Sequence, residues 1–215
     1  HQVVIICGET GSGKTTQIVR AVQYLRSFGL PVVQTREPGG TPIADQIRAV
    51  LLRAENKAIT PLTELLLYFA ARAQHVAEVV RPALEAGKII ACDRFADSTW
   101  AYQGHARGMD TAMIERLNEI ATGGLQPDLT LLYDLPIEEG LRRARSRAER
   151  LDDAEREDRF EKEALEFHRK LREGFLLLAE REPRRFRVID AAGSVDEVWL
   201  HTKAVLDAEV LGRNV

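Results

Sequence analysis

Gly8-Glu9-Thr10-Gly11-Ser12-Gly13-Lys14-Thr15 spells G-x-x-x-x-G-K-(S/T) and directly follows Val3-Val4-Ile5-Ile6-Cys7, an apolar run long enough to be a buried strand. Glycines let a backbone curl so that successive N–H groups point inward at an anion, and the helix that follows aims its positive dipole end at the same place. Lys14 adds a mobile charge for β and γ phosphates, and Thr15 offers a hydroxyl to Mg²⁺. The stretch predicts a nucleotide-phosphate site built from Gly8, Glu9, Thr10, Gly11, Ser12, Gly13, Lys14, Thr15 and Thr16. A ligand-free glycine turn is the plainer reading, but it requires every fixed position to match by chance just after a strand.

The rest of the chain repeats the strand-then-helix rhythm. Strand-like runs fall at Val3 to Cys7, Val32 to Thr35, Lys88 to Asp93, Leu129 to Asp134 and Arg187 to Asp190. Helical patterns fall at Lys14 to Phe28, Ile43 to Leu52 and Leu62 to Glu85, the last broken or kinked by Pro82. Such alternation predicts an α/β fold, a three-layer parallel sheet with helices on both faces, because parallel strands need long crossovers. Ligands then sit beyond the carboxyl ends of the strands. Three of those ends carry charge: Thr35-Arg36-Glu37, Cys92-Asp93-Arg94 and Tyr133-Asp134.

Composition narrows the class. At 215 residues and 45% hydrophobic side chains, the chain can bury one full core, so residues 1–215 are expected to form a single domain. A formal charge of -3 and a pI near 6.0 argue against a protein that coats nucleic acid or a membrane. No apolar run reaches the roughly 20 residues that span a bilayer. The opening His1-Gln2-Val3 carries neither an initiating Met nor a signal pattern and reads as a trimmed or altered start. Two cysteines, Cys7 and Cys92, make no disulfide framework, and the chain reads as cytoplasmic.

Four further segments occur in order: Thr35-Arg36-Glu37-Pro38-Gly39-Gly40-Thr41, Phe69-Ala70-Ala71-Arg72-Ala73-Gln74-His75, Asp93-Arg94-Phe95 and Ala101-Tyr102-Gln103-Gly104. With Pro127-Asp128-Leu129-Thr130 and Arg159-Phe160-Glu161, they closely resemble bacterial thymidylate kinase. The resemblance implies a P-loop NTPase fold with a five-stranded sheet in the order 2-3-1-4-5. It also implies transfer of the γ-phosphoryl group of ATP to dTMP, giving dTDP, with Mg²⁺, in a homodimer.

Site roles follow from the same resemblance. Arg94 would fork onto the acceptor phosphate, and Asp93 would orient water around Mg²⁺ or hold an arginine. A planar guanidinium suits the first task, since phosphoryl transfer asks chiefly for positioning and charge neutralisation. Tyr68 matches the ring that stacks on the base, with Phe69 as the reserve choice, and Arg72 would donate to a thymine carbonyl. Tyr68 and Arg72 are four residues apart and share a helix face; core packing is the plainer fate of both aromatics. Thr99 or Gln103 would complete the base edge, Ser98 is a further expected substrate contact, and Tyr102 matches a position that crowds a ribose 2′-hydroxyl. Arg48 falls near the acceptor phosphate. Arg36 and Glu37 are divided between substrate contact and local support, with Glu37 reaching a Mg²⁺-bound water or capping the next helix. Ala192, after the last strand, lies near the adenine. Leu141 to Phe160 is crowded with arginines and acidic residues; a solvated helix face is one reading, and the other is a lid at about 142–160 whose Arg145, Arg147 and Arg159 close over the phosphoryl group.

The opening departs from the family's F-E-G-x-(D/E)-G-x-G-K. Cys7 stands for the first carboxylate, Thr10 replaces the second, and Glu9 is displaced by one. Residues 3–17 instead resemble the first motif of DEAH-type RNA helicases, which supplies an expectation of another class, a nucleic-acid-dependent ATPase. No DEAH sequence follows. Another nucleoside monophosphate kinase and a non-catalytic nucleotide switch complete the alternatives. The family's strand order also implies that Cys7 lies beside Cys92, where oxidation could bridge them, with two buried reduced thiols as the plainer state.

Overall fold

The structure, a computed structural model, describes residues 2–53, 55–56, 58–148 and 163–212. Five strands, β1 (Gln2–Gly8), β2 (Val32–Arg36), β3 (Ile89–Asp93), β4 (Leu129–Asp134) and β5 (Phe186–Asp190), form one parallel sheet in the order β2-β3-β1-β4-β5. The central strands β1, β3 and β4 are buried along almost their whole length, while the edge strands β2 and β5 are partly exposed, β2 in alternation. Continuous apolar runs in the centre and partial exposure at the edges follow from covering both faces of a parallel sheet.

The two faces are separate cores. Val4 and Ile6 of β1 pack with Ile18, Val22 and Leu25 of α1 (Lys14–Ser27) and, from the far end of the chain, Val198 and Leu206 of α9 (Val195–Leu206). Val3, Ile5 and Cys7 point the other way, toward Val76, Val80, Phe95, Trp100 and three residues of α8 (Leu165–Arg181), Leu171, Phe175 and Leu178. This side also carries α2 (Pro42–Leu52), α3 (Pro61–His75), α4 (Arg81–Glu85) and α5 (Ala96–Thr99); α6 (Thr111–Thr122) packs on α3, and α7 (Ile137–Ala148) precedes α8. Helices α2 and α3 each begin one residue earlier than their apolar patterns, because Thr41 and Thr60 accept N-cap hydrogen bonds and Pro42 and Pro61 occupy the first turn.

Pro82 does not break the long helix. The helical backbone runs from Pro61 to Glu85, with a wide π turn at Val76–Val80 just before the proline. The wider turn relieves the clash of the proline ring with the carbonyl one turn earlier. A second π turn, Trp100–Ala106, extends α5 through Tyr102 and Gln103.

Cys7 and Cys92 lie on neighbouring strands but are staggered. The residue across from Cys92 is Ile5, and Cys7 stands two positions further along, opposite Leu132. Both are buried free thiols. Burial pushes both pKa values well up, which suppresses the thiolate needed for exchange. The expected side-by-side pair is therefore corrected to two separate core thiols.

The phosphate loop docks on α7 through two glycines. A Cβ on Gly11, at φ 80°, would stand 2.1 Å from the Gly140 carbonyl oxygen, and one on Gly140 would stand 2.8 Å from that of Thr10. Gly11→Ala is expected to cost roughly 1–3 kcal/mol from backbone strain alone, before any displacement of the loop. A drop in urea midpoint together with weaker ATP binding is the expected outcome; unchanged values for both would contradict the close approach.

Candidate active site

The carboxyl edge of the sheet collects the functional side chains. From β1 the chain enters the phosphate loop, and Gly13 becomes the N-cap of α1 with no side-chain cap and no acidic residue in the first turn. Thr16 and Gln17 donate their N–H groups to the Gly13 carbonyl, which starts the helix. Thr15 and Thr16 are exposed there, as an anion site at a helix N-terminus requires. Lys14 is folded back on its own loop: Nζ donates to the Glu9 carbonyl oxygen at 2.6 Å and to Ser12 Oγ at 3.3 Å. Burial, then the charge of Arg94, lowers its pKa to about 7.

Arg94 follows β3 with φ 68°, a left-handed conformation uncommon for a residue with a side chain. Its N–H donates to the Ile6 carbonyl oxygen, which pins the turn beside the end of β1. The guanidinium lies over the Tyr102 ring, 5.2 Å from its centroid, and Nη1 is buried without a hydrogen-bond partner. Burial opposes its charge, but Tyr102 and Asp93 more than offset this and raise its pKa. Asp93 Oδ1 and Ser98 Oγ are likewise buried and unpartnered. Two cations and several unsatisfied polar atoms thus converge where neighbouring strands end.

Arg72 is 2% exposed and held on three sides. Nε donates to Glu37 Oε2 at 2.7 Å, Nη2 to Thr99 Oγ1 at 2.9 Å and Nη1 to Asn118 Oδ1 at 3.3 Å. Its guanidinium carbon stands 5.3 Å from the centroids of both Phe69 and Phe95. Phe69 is a core residue, packed with Leu65 of α3 and Ile114 of α6, so its reserve role as a stacking ring is corrected to packing. Tyr68 is half-buried against the opposite cluster and close enough to help raise the Arg94 pKa. Glu37 does not cap α2, since Thr41 does; its carboxylate meets Arg72 and His75. A buried carboxylate between these partners is not disposed toward a metal-bound water.

Other expected residues are placed less centrally. Arg36 is exposed and 3.6 Å from Asp45. Arg48 Nη1 donates to the Pro38 carbonyl oxygen at 2.8 Å, so it buttresses the Arg36–Gly40 loop. Gln103 is buried, with Nε2 donating to Glu64 Oε1 at 2.7 Å. Ala192 is exposed, and its carbonyl accepts from Arg143 Nη2 at 3.0 Å. Arg145 is exposed on α7, which also includes Arg147. Most of the expected lid, with Arg159, lies outside the described residues.

Sequence reasoning missed several partners. Arg107 joins Glu64 at 3.1 Å to Glu163 at 2.8 Å, so the Gln103 network extends to Glu163. Arg172 of α8 makes a two-point contact with Asp134 at 2.7 and 2.8 Å. Glu9, displaced by one from the family pattern, is 5% exposed and faces α8: Oε2 is 3.5 Å from His168 Nδ1, and His168 is 1% exposed. Glu9 Oε1 and both His168 ring nitrogens have no hydrogen-bond partner. Nothing local in the sequence signals these contacts, because each joins segments far apart in the chain.

The thymidylate kinase family model matches residues 6–200. This chain belongs to the thymidylate kinase family. The thymidylate kinase of Syntrophotalea carbinolica is 56% identical over 204 residues, covering 93% of this chain and 94% of the relative. That of Geobacter sulfurreducens is 58% identical over 189 residues, covering 88% of each. A crystal structure of thymidylate kinase from Ehrlichia chaffeensis superposes with a TM-score of 0.76 at 32% identity, covering 96% of this chain and 98% of that one. The sheet order agrees with the P-loop NTPase fold of the thymidylate kinase family. Among the described residues no helix is long and apolar enough to cross a membrane.

Two stability predictions follow from the buried charges. Removing one partner of a buried ion pair strands the other, so Glu37→Ala is expected to cost about 3–5 kcal/mol in denaturant unfolding; a change under about 1 kcal/mol would mean that water reaches Arg72. For Lys14 the folded-state pKa lies below its unfolded value of 10.5. The unfolded chain then binds more protons between about 7 and 10.5, so the penalty of burying this lysine is full below pH 7 and fades as pH rises. Without ligand, Lys14→Met is expected to be more stable than the parent at pH 6.5 by at least about 1 kcal/mol, with the gap closing by pH 10. A pH-independent gap would contradict the lowered pKa.

Proposed function

We infer that this chain transfers the γ-phosphoryl group of ATP to dTMP, releasing dTDP and ADP. Membership of the thymidylate kinase family carries the inference. The convergence of a P-loop with a second cluster of positive charge, Arg94 and Arg72, at the same sheet edge supports it, because a simple ATPase has no use for that second cluster. The chain is one P-loop nucleoside monophosphate kinase domain acting as a cytoplasmic homodimer. Apolar Ile43 and Val50 on α2, Leu62 and Leu66 on α3, and Ile120 on α6 are exposed, which favours an association surface on that side. The DEAH-like opening does not favour a helicase, since the family match begins at residue 6 and runs through the rest of the sheet.

In the proposed mechanism the loop amides from Gly8 to Thr16 and Lys14 hold the ATP phosphates. Lys14 must leave the Glu9 carbonyl oxygen to do so, exchanging a neutral acceptor for an anionic one. Arg94, with Nη1 unpartnered, takes the acceptor phosphate. Tyr68 stacks on the thymine, and Arg72 reads its carbonyl with the two N–H groups left from five after three hydrogen bonds. Tyr102 flanks the sugar, Ser98 and Thr99 line the pocket, and Gln103 supports its wall from Glu64. Ala192 lies beside the adenine, and Arg145, Arg147 and Arg159 belong to a lid that excludes water. Thr15, with an exposed hydroxyl, and Asp93, with an unpartnered Oδ1, suit Mg²⁺, directly or through water. Bound there, Mg²⁺ would neutralise phosphate charge.

A coupled ADP-release assay with ATP and Mg²⁺ tests this against dTMP, dUMP, CMP, AMP and a structured RNA. Turnover chiefly with dTMP is expected; RNA-stimulated hydrolysis without monophosphate dependence would revive the ATPase. Lys14→Ala is expected to lower kcat by about 100-fold or more, as loss of a donor to developing charge does. Arg72→Ala is expected mainly to raise KM for dTMP. Equal collapse of both parameters in both variants would contradict the division of roles.

A further inference from the structure

Beneath Arg72 lies a polar chain that nothing in the proposed reaction uses directly. His75 is one turn on from Arg72 in α3 and 0% exposed. Its Nδ1 lies 3.0 Å from Glu37 Oε1, while the other carboxylate oxygen accepts from Arg72. Its Nε2 lies 2.7 Å from Thr35 Oγ1 at the end of β2. A carboxylate accepts, so Nδ1 carries a proton, and in the neutral ring Nε2 then accepts from the Thr35 hydroxyl. Each atom of the relay has one assigned role, and each is linked to a rigid element: β2 through Thr35, the loop after it through Glu37, α3 through both His75 and Arg72.

Gly40 closes the fourth side. At φ 89° its backbone passes so near the ring that a Cβ would stand 2.8 Å from His75 Cδ2 and 2.7 Å from Thr35 Oγ1. The imidazole is therefore clamped between the Glu37–Gly40 loop and β2. Rotation of Glu37 away from Arg72 would forfeit the His75 contact as well, so one orientation of the carboxylate is selected. Since Glu37 receives the Arg72 Nε–H, that choice fixes the rotation of the guanidinium plane, and with it the direction of the two N–H groups not held by protein.

We propose that His75 is a positioning residue for acceptor-base recognition, acting through Glu37 on Arg72. The proposal rests on the reading of the acceptor as dTMP. A carbonyl at position 4 of the pyrimidine accepts from Arg72, whereas the amino group of a cytosine nucleotide does not. Loose aim of Arg72 should therefore weaken dTMP and erode its advantage over dCMP.

The test compares His75→Ala, His75→Asn and Thr35→Val with the parent. Asn retains a donor at the Nδ1 position, and Thr35→Val removes only the distal partner. For His75→Ala, KM for dTMP is expected to rise about tenfold, as loss of one charge-assisted hydrogen bond does, and the dTMP-to-dCMP ratio of kcat/KM to fall. KM for ATP and kcat should stay within about twofold. His75→Asn should recover most of the loss, and Thr35→Val should shift dTMP in the same direction by less. A merely structural role would lower activity toward both nucleotides and both substrates alike, without rescue by Asn, and would overturn the proposal. ¹⁵N spectra give a second readout independent of turnover: the Arg72 Nε–H signal should move in His75→Ala and return in His75→Asn. If the parent fails to phosphorylate dTMP, the substrate reading falls, and an unmoved Nε–H signal would separately defeat the relay.

Discussion

Two buried cations, Lys14 and Arg94, stand at the carboxyl edge of the sheet, and among the described residues neither makes a salt bridge. Burial, and after it the charge of Arg94, lowers the lysine pKa to about 7. Charges this deeply buried persist only where surrounding structure holds them or a ligand neutralises them. Much of the fold serves the first purpose. Arg94 is pinned by its backbone bond to β1 and by the Tyr102 ring, and Lys14 is anchored by the first turn of α1. In the proposed reaction, phosphates would supply the second.

The parallel sheet makes this arrangement possible. Adjacent strands deliver the phosphate loop and the Asp93-Arg94 turn to neighbouring positions, with Ile6 registered against Asp93. Arg36 is registered against Asp93 from the other side, so the loop carrying Glu37 arrives beside the same edge. Helix α3 then brings Arg72 and His75 down onto that loop. The two clusters differ in charge balance. Around Arg72 every charge is matched by Glu37 and fixed by hydrogen bonds, suiting a site that discriminates a neutral base. Around Lys14 and Arg94 the positive charge is in excess, suiting phosphate.

Much of the sheet was legible because its signals are local. Apolar runs located all five strands within a residue or two, and the phosphate loop is a contiguous motif. Helix starts at Pro42 and Pro61 were set one residue late, since the apolar pattern begins only after the first-turn proline. The π turn before Pro82 depends on how a long helix packs, so the proline alone suggested a break or a kink. Partners across the fold were illegible. Glu37 reads equally well as a cap, a metal contact or an arginine partner until α3 is laid against the β2 loop. His75 offered one hint, a spacing of three from Arg72 on the same helix face. The stagger between Cys7 and Cys92 is a matter of register, which strand order does not specify.

The claim that an anion relieves the strained lysine is tested most directly by proton uptake on nucleotide binding. Titration calorimetry with a nonhydrolysable ATP analogue at pH 8, in buffers of differing ionisation enthalpy, counts the protons bound. With a free-site pKa of about 7 the lysine is mostly neutral there, so binding should take up nearly one proton, and Lys14→Met should take up none. Proton-neutral binding by the parent would contradict the account, since Lys14 would then already be charged in the empty site.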